Sequence, residues 1–212
     1  MKNYFWPLII SLTPFFSMAQ ESRGNTALGF TLTPNISWLS SGEQSKSDGP
    51  AVGFSYGVIA DLAFSENYFF ATGFTLSSMN SKAIATGDVR TESTYHFQYI
   101  EVPLTLKLKN SSGDNTSFYG QFGLGTGIKV RATEDYSQRD ASGNTAVGED
   151  VNISKKVNPF RLGLIAGAGA EWKIGRNLSL LTGVTYNNGF TTVLKESSQR
   201  NSYLALNLGV FF

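Results

Sequence analysis

His96 is the one histidine of the chain, with Ser93 three residues before it and Glu92 and Glu101 to either side. A hydroxyl, an imidazole and a carboxylate in one short segment are the parts of a hydrolase, in which the imidazole takes the hydroxyl proton and the acid orients the imidazole. No sharp turn exposing the nucleophile and no oxyanion donors are identifiable around Ser93. A lone histidine between Tyr95 and Phe97 reads instead as an interface or loop-base residue. No catalytic residue is assigned.

A second group of residues carries charge inside segments that are otherwise small or apolar: Asp61, Glu101, Lys107, Lys109, Lys129, Arg131, Arg161 and Glu171. Seven of them, Lys109 apart, form the expected cluster. Charges of both signs on the small-residue face of strands need partners, so they are read as a salt-bridged filling rather than the lining of an ion pore. With no cysteine and one histidine, thiol chemistry, disulfides and the common metal cages are excluded, and no cofactor is expected. The glycines at 125 and 127, and at 163, 167 and 169, lack the strand-then-helix setting of a phosphate loop. They are read as room for large neighbours such as Tyr119 or Arg161. The sequons at Asn35 and Asn152 are read as incidental.

The elements that must hold these residues follow a period of two. Leu28, Phe30, Leu32, Ile36 and Trp38 alternate with Gly29, Thr31, Thr33, Asn35 and Ser37, and the same rhythm returns at 52–64, 68–77, 99–109, 118–131, 160–173, 178–187 and 203–212. One face of each segment is aliphatic or aromatic; the other is Gly, Ala, Ser and Thr with few charges. A soluble sandwich or lipocalin-like barrel would show charges on that second face. Aromatics near the segment ends, among them Trp38, Tyr68, Phe118, Phe160, Trp172 and Tyr186, suit the girdles of a barrel in lipid. Pro103 removes a ladder donor and is expected at a bulge.

Composition agrees. Of 212 residues 16% are charged, against about 25% in soluble domains, while 13% are aromatic and 22 are glycine. The formal net charge of +1 leaves no footprint for nucleic acid. The connections alternate in length, tight at 65–67, 110–116 and 175–177, long and polar at 40–50, 78–94, 132–158 and 188–201. Residues 1–19, with Lys2, an apolar run to Phe16 and Ser17-Met18-Ala19, read as a cleaved secretory signal peptide. The expected domain is therefore 20–212, with both termini on the periplasmic side and the long loops outside the cell.

The segment Tyr99-Ile100-Glu101-Val102-Pro103-Leu104-Thr105-Leu106-Lys107 and the aromatic end at Phe212 resemble the small outer-membrane β-barrel domain family that includes PorT-like proteins of Gram-negative bacteria. The resemblance covers nearly all of the mature chain. It implies residence in the outer membrane, contact with its lipid, and Leu208, Val210 and Phe212 as an insertion signal for the barrel-assembly machinery. One branch of the family is implicated in type IX export.

The expected protein is all-β: an eight-stranded antiparallel up-and-down transmembrane β-barrel with a filled lumen, no enzymatic activity, and exterior loops that present the surface for protein partners. The alternatives are an export accessory, a small pore and an outer-leaflet lipid-modifying enzyme.

Overall fold

The computed structural model describes residues 26–40, 45–85, 89–111, 115–140, 142–196 and 198–212. The expected signal peptide and the start of the domain at residue 20 lie outside them. Nine strands follow in order: β1 (Thr26–Leu39), β2 (Ser45–Ala63), β3 (Tyr68–Ala85), β4 (Val89–Ser111), β5 (Thr116–Asp140), β6 (Thr145–Asn152), β7 (Phe160–Lys173), β8 (Ser179–Gly189) and β9 (Asn201–Phe211). No helix occurs among the described residues.

Eight of the nine close a ring. Each strand pairs antiparallel with its neighbour from β1 to β5, then β5 with β7, β7 with β8, β8 with β9, and β9 back onto β1. The seam ends where the Phe212 amide donates to the Leu28 carbonyl at 2.8 Å. The ninth, β6, pairs only with the far half of β5, between Thr133 and Arg139. A strand thus stands where a loop is expected, within 132–158.

The same correction applies elsewhere at that end of the barrel. β3 runs on to Ala85 and β4 begins at Val89, so most of 78–94 is a paired hairpin rather than a loop, and β2 starts inside the expected 40–50 connection. Past the apolar band both strand faces meet water or other protein, so alternation fades, while the inter-strand hydrogen bonds continue because nothing interrupts them. At the other end the turns are as short as expected: the Phe64 amide donates to the Tyr68 carbonyl, and the Ile174 amide to that of Leu178.

The outer wall is apolar. Phe30, Phe74 and Phe122 are 60%, 64% and 59% exposed, and the even-numbered aliphatics of β1 to β5 stand beside them. Among the aromatics, Tyr68, Phe118 and Trp172 mark the termini end of this band, while Phe160 and Tyr186 mark the hairpin end. Trp38 and Tyr186 stack there at 6.3 Å between ring centroids.

Pro103 corrects an expectation. Its register with β5 is unbroken, opposite Gly125, and the β3 ladder lapses between the Ala71/Thr105 and Thr75/Glu101 pairs without a shift. The bulge lies elsewhere, in β5: Gln98 pairs Arg131 and Tyr99 pairs Lys129, so Val130 is the extra residue.

Candidate functional site

Inside the ring, odd-numbered residues of neighbouring strands meet in layers. Nearest the chain termini, β4 supplies Lys107 and Lys109, β2 supplies Asp61 and β7 supplies Glu171. The Lys107 ammonium donates to Asp61 at 2.8 Å and to Glu171 at 2.6 Å, and Lys109 stands 2.7 and 2.9 Å from the same two carboxylates. Two cations and two anions neutralise one another in a site from which water is nearly absent, the arrangement in which buried charge is tolerated. Tyr119 and Phe69 place their ring faces 4.3 Å from Lys107 and 4.2 Å from Lys109. Tyr119 reaches across because Gly169 and Gly183 have no side chain; a Cβ on Gly169 would lie 2.7 Å from its ring.

A second layer crosses the middle. Arg161 of β7 donates to Glu101 of β4 and to the Asn187 side-chain oxygen of β8, both at 2.8 Å, and to the Asn201 carbonyl at 3.1 Å. Glu101 also accepts from Ser77 at 2.9 Å and from the Tyr203 hydroxyl at 3.3 Å. Between the two layers remains a cavity of about 120 Å³.

Toward the hairpin end the lumen is apolar. Leu39, Met79, Phe97, Tyr99 and Ala132 from the wall surround Ile153, Val157 and Val193, which come from the connections after β6 and β8. The two connections are joined by a bridge from Val157 to Leu194 and by the Asn158 side chain donating to the Thr192 carbonyl at 2.8 Å. Lys129 holds the first of them down, donating to the carbonyls of Ser154 and of Val157. It therefore serves the cap rather than either charged layer.

Arg131 departs from the lumen cluster altogether. The extra residue at Val130 reverses the parity of β5, so that Ala132 turns inward at 0% exposure while Arg131 turns outward and pairs with Asp150 of β6. Asp61, Lys107 and Glu171 are thus brought together, Glu101 and Arg161 form a separate pair, and Lys129 and Arg131 belong to neither.

The same reversal builds a polar groove on the outer wall beyond the apolar band, where β3, β4 and β5 meet the β5–β6 hairpin. Its volume is about 820 Å³. His96 stands in it, with Nδ1 3.0 Å from the Asn80 side-chain oxygen and Nε2 3.1 Å from Asp135. The Asn80 amide nitrogen is committed to the Val52 carbonyl at 2.6 Å, which leaves its oxygen toward the imidazole. Asp135 also accepts from the Asp150 backbone amide at 2.7 Å; that bond, with the contact from His96, holds its carboxyl below the usual carboxylate range.

Ser93 lies on the opposite parity of β4 from His96, and Glu101 is committed in the lumen, so the set considered from sequence is not assembled. Asn80 and Asp135 are the residues missed, since both sit in segments expected to be loops. Their alternation with inward Met79, Phe97 and Ala132 would be the signal, and the bulge at Val130 obscures it.

Several solved structures align with most of the chain. The crystal structure of Neisserial surface protein A aligns over 87% of this chain and 95% of its own, at 15% identity and a TM-score of 0.43. OprG from Pseudomonas aeruginosa aligns over 88% and 94%, at 10% identity and 0.46. A major outer membrane protein from Thermus thermophilus aligns over 88% and 99%, at 13% identity and 0.44. No curated protein sequence matches the chain. The model of the outer membrane protein β-barrel domain matches residues 18–195, without narrowing to a PorT-like branch. With the closed antiparallel ring, its apolar outer wall and this match over most of its length, the chain belongs to the outer membrane protein β-barrel domain family.

Proposed function

We propose that the protein is a non-conducting, non-enzymatic outer-membrane barrel whose work is done by the surface at its hairpin end. The observation that carries this reading is the filling of the lumen. Two charged layers, with the Tyr119 and Phe211 rings against the first, and the cap around Val157 occupy its length. What remains between the two layers is a cavity of about 120 Å³. An eight-stranded ring is just wide enough for its side chains to fill.

The termini then lie in the periplasm and the β3–β4 and β5–β6 hairpins stand outside the cell, where a rigid wall presents them to protein partners. Leu208, Val210 and Phe212, on the outward side of the closing strand, act as the insertion signal for the assembly machinery. No feature of the lumen or the hairpins favours the export-accessory role over this simpler one.

Reconstitution into planar bilayers tests the reading. Purified protein is expected to give no unitary current steps, and reproducible steps from the folded, heat-modifiable species would overturn it. Removal of residues 142–150 from the β5–β6 hairpin is expected to leave heat-modifiable folding intact and to abolish capture of any partner crosslinked through it.

A further inference from the structure

The Lys129 ammonium is spent on backbone and not on an acid. It donates to the Ser154 and Val157 carbonyls, the two that flank Lys155 and Lys156 in the turn after β6. The Lys156 amide closes that turn on the Ile153 carbonyl at 2.8 Å, and the Lys156 carbonyl accepts from the Lys195 amide, on the connection after β8, at 2.9 Å. Lysines from three separate stretches of chain therefore meet at one junction. Lys195 stands close enough for its charge to act on the Lys129 ammonium.

No acid balances them. Among the described residues no carboxylate lies within 4 Å of Lys129, Lys155, Lys156 or Lys195, whereas Lys107, Lys109 and Arg161 deeper in the lumen are all paired. Glu196 is the single acid of the connections 153–159 and 190–200, against Lys155, Lys156, Lys195 and Arg200. Like charges held together by backbone hydrogen bonds repel one another, and an anion set among them turns that repulsion into attraction. The groups to receive it are open: Lys155, Lys156 and Lys195 are exposed, and Lys129 keeps the third of its N–H donors.

The height of the junction selects the source of the anion. Ile128 and Phe160, the last pair of the β5–β7 ladder, are 57% and 68% exposed on the outer wall. One step beyond them the Lys129 amide donates to the Pro159 carbonyl at 2.8 Å. The junction thus sits at the hairpin-side edge of the apolar band, where lipid tails give way to headgroups. Lysine stems lie along apolar surface and set their ammonium groups among headgroups, and basic side chains at that level draw anionic lipid.

We propose that Lys155, Lys156 and Lys195, with Lys129 behind them, bind the phosphate of an anionic lipid headgroup in the outer leaflet. An ammonium meets a phosphate as a point charge, without the fixed fork of a guanidinium, so several lysines around one anion suit it. The inference rests on the placement of the hairpin end outside the cell.

The test is amide chemical-shift mapping of the protein, purified from its membrane, in phosphatidylcholine nanodiscs. Lipid A added to the nanodisc is expected to give saturable shifts centred on Lys155, Lys156 and Lys195, and lipid A stripped of its phosphates to give none. Inorganic phosphate added to a nanodisc of phosphatidylcholine alone is expected to leave these amides unmoved. K155A with K156A and K195A should weaken the lipid A response by at least about tenfold while heat-modifiable migration is kept, and K173A with R176A, at the termini end, should leave it unchanged. No shifts with lipid A, equal shifts with the stripped lipid, or a triple lysine variant that binds like the parent would overturn the proposal. The same shifts from inorganic phosphate would make the ligand a soluble anion and overturn the lipid as its source. Each of these failures leaves the bilayer-current result untouched, so it is separable from failure of the closed-barrel reading.

Discussion

Arg161 on β7 donates to Glu101 on β4 at 2.8 Å over the intervening strand β5, where Gly127 pairs with both residues, and both side chains are nearly fully buried. The pair ties together the two strands that flank β5, and each charge relies on the other because water is excluded. Breaking a buried pair from one side leaves an uncompensated charge, at a cost of about 3–5 kcal/mol, whereas replacing both partners by apolar groups is close to neutral. Glu101→Gln is therefore expected to lower the unfolding free energy in urea by that amount, and Glu101→Met with Arg161→Met to recover most of it. Equal losses in the single and double variants would show that the pair does not act as a unit.

The cap makes a different demand. Phe97 is completely buried against Tyr99, Val157 and Val193, so Phe97→Ala leaves a void among groups that water cannot satisfy. A loss of about 3–5 kcal/mol is expected from such a truncation. Proteolysis should then cut the connections after β6 and β8 first, since their anchoring rests on this cluster; cleavage unchanged from the parent protein would remove Phe97 from that role.

Gly57 on β2 takes part in a closer contact than the strand spacing alone requires. A Cβ there would collide with the Phe74 carbonyl oxygen and would lie 2.7 Å from the Thr75 Cα, both backbone atoms that have nowhere to move. Gly120, on the outer wall, has nothing within 4 Å of the same position. Gly57→Val should abolish the heat-dependent mobility shift that marks a folded barrel, and Gly120→Val should keep it.

The hairpin end should respond to acid before the barrel does. The Asp150 amide, then the His96 contact, stabilise ionised Asp135, whose carboxyl is lowered; Asp140 is lowered likewise by Asn144. A group depressed in the folded state contributes stability that is fully present above its unfolded value, about 3.9, and that is lost as pH falls through the folded value. Amide protection in β6, relative to the intrinsic exchange rate at each pH, is therefore expected to fall only below about pH 4, with protection at β1 and β9 unchanged. Loss of protection beginning near neutral pH would assign the hairpin's hold to another group.

Phe212 closes the ring through its amide and lies tilted against Phe30, with centroids 5.7 Å apart. If the terminal aromatic is read by the assembly machinery, Phe212→Ala should slow insertion in cells while refolding of the purified chain into detergent proceeds at the parent rate. Equal slowing of both would make the residue a packing element only.

The alternation of Leu28, Phe30 and Leu32 with Gly29, Thr31 and Thr33, repeated along the chain, determines which face of each strand meets lipid, because a period of two admits no other placement. That is why the ring of eight, the small-residue inner face and the tight turns are legible without coordinates. It also brings Asp61, Lys107, Glu101, Arg161 and Glu171 to the inner face. Which of these pair is decided by the register of each strand on the one between them, β3 for Asp61 and Lys107 and β5 for Glu101 and Arg161. The placement of Lys129 under the cap, the outward turn of Arg131 and the meeting of His96 with Asp135 depend on one inserted residue, Val130, and on a hairpin folded over its neighbours. A bulge shifts parity with no mark in composition, since hydrogen bonds between strands, not side-chain pattern, set where the extra residue is absorbed. The tertiary structure alone decides the outer groove.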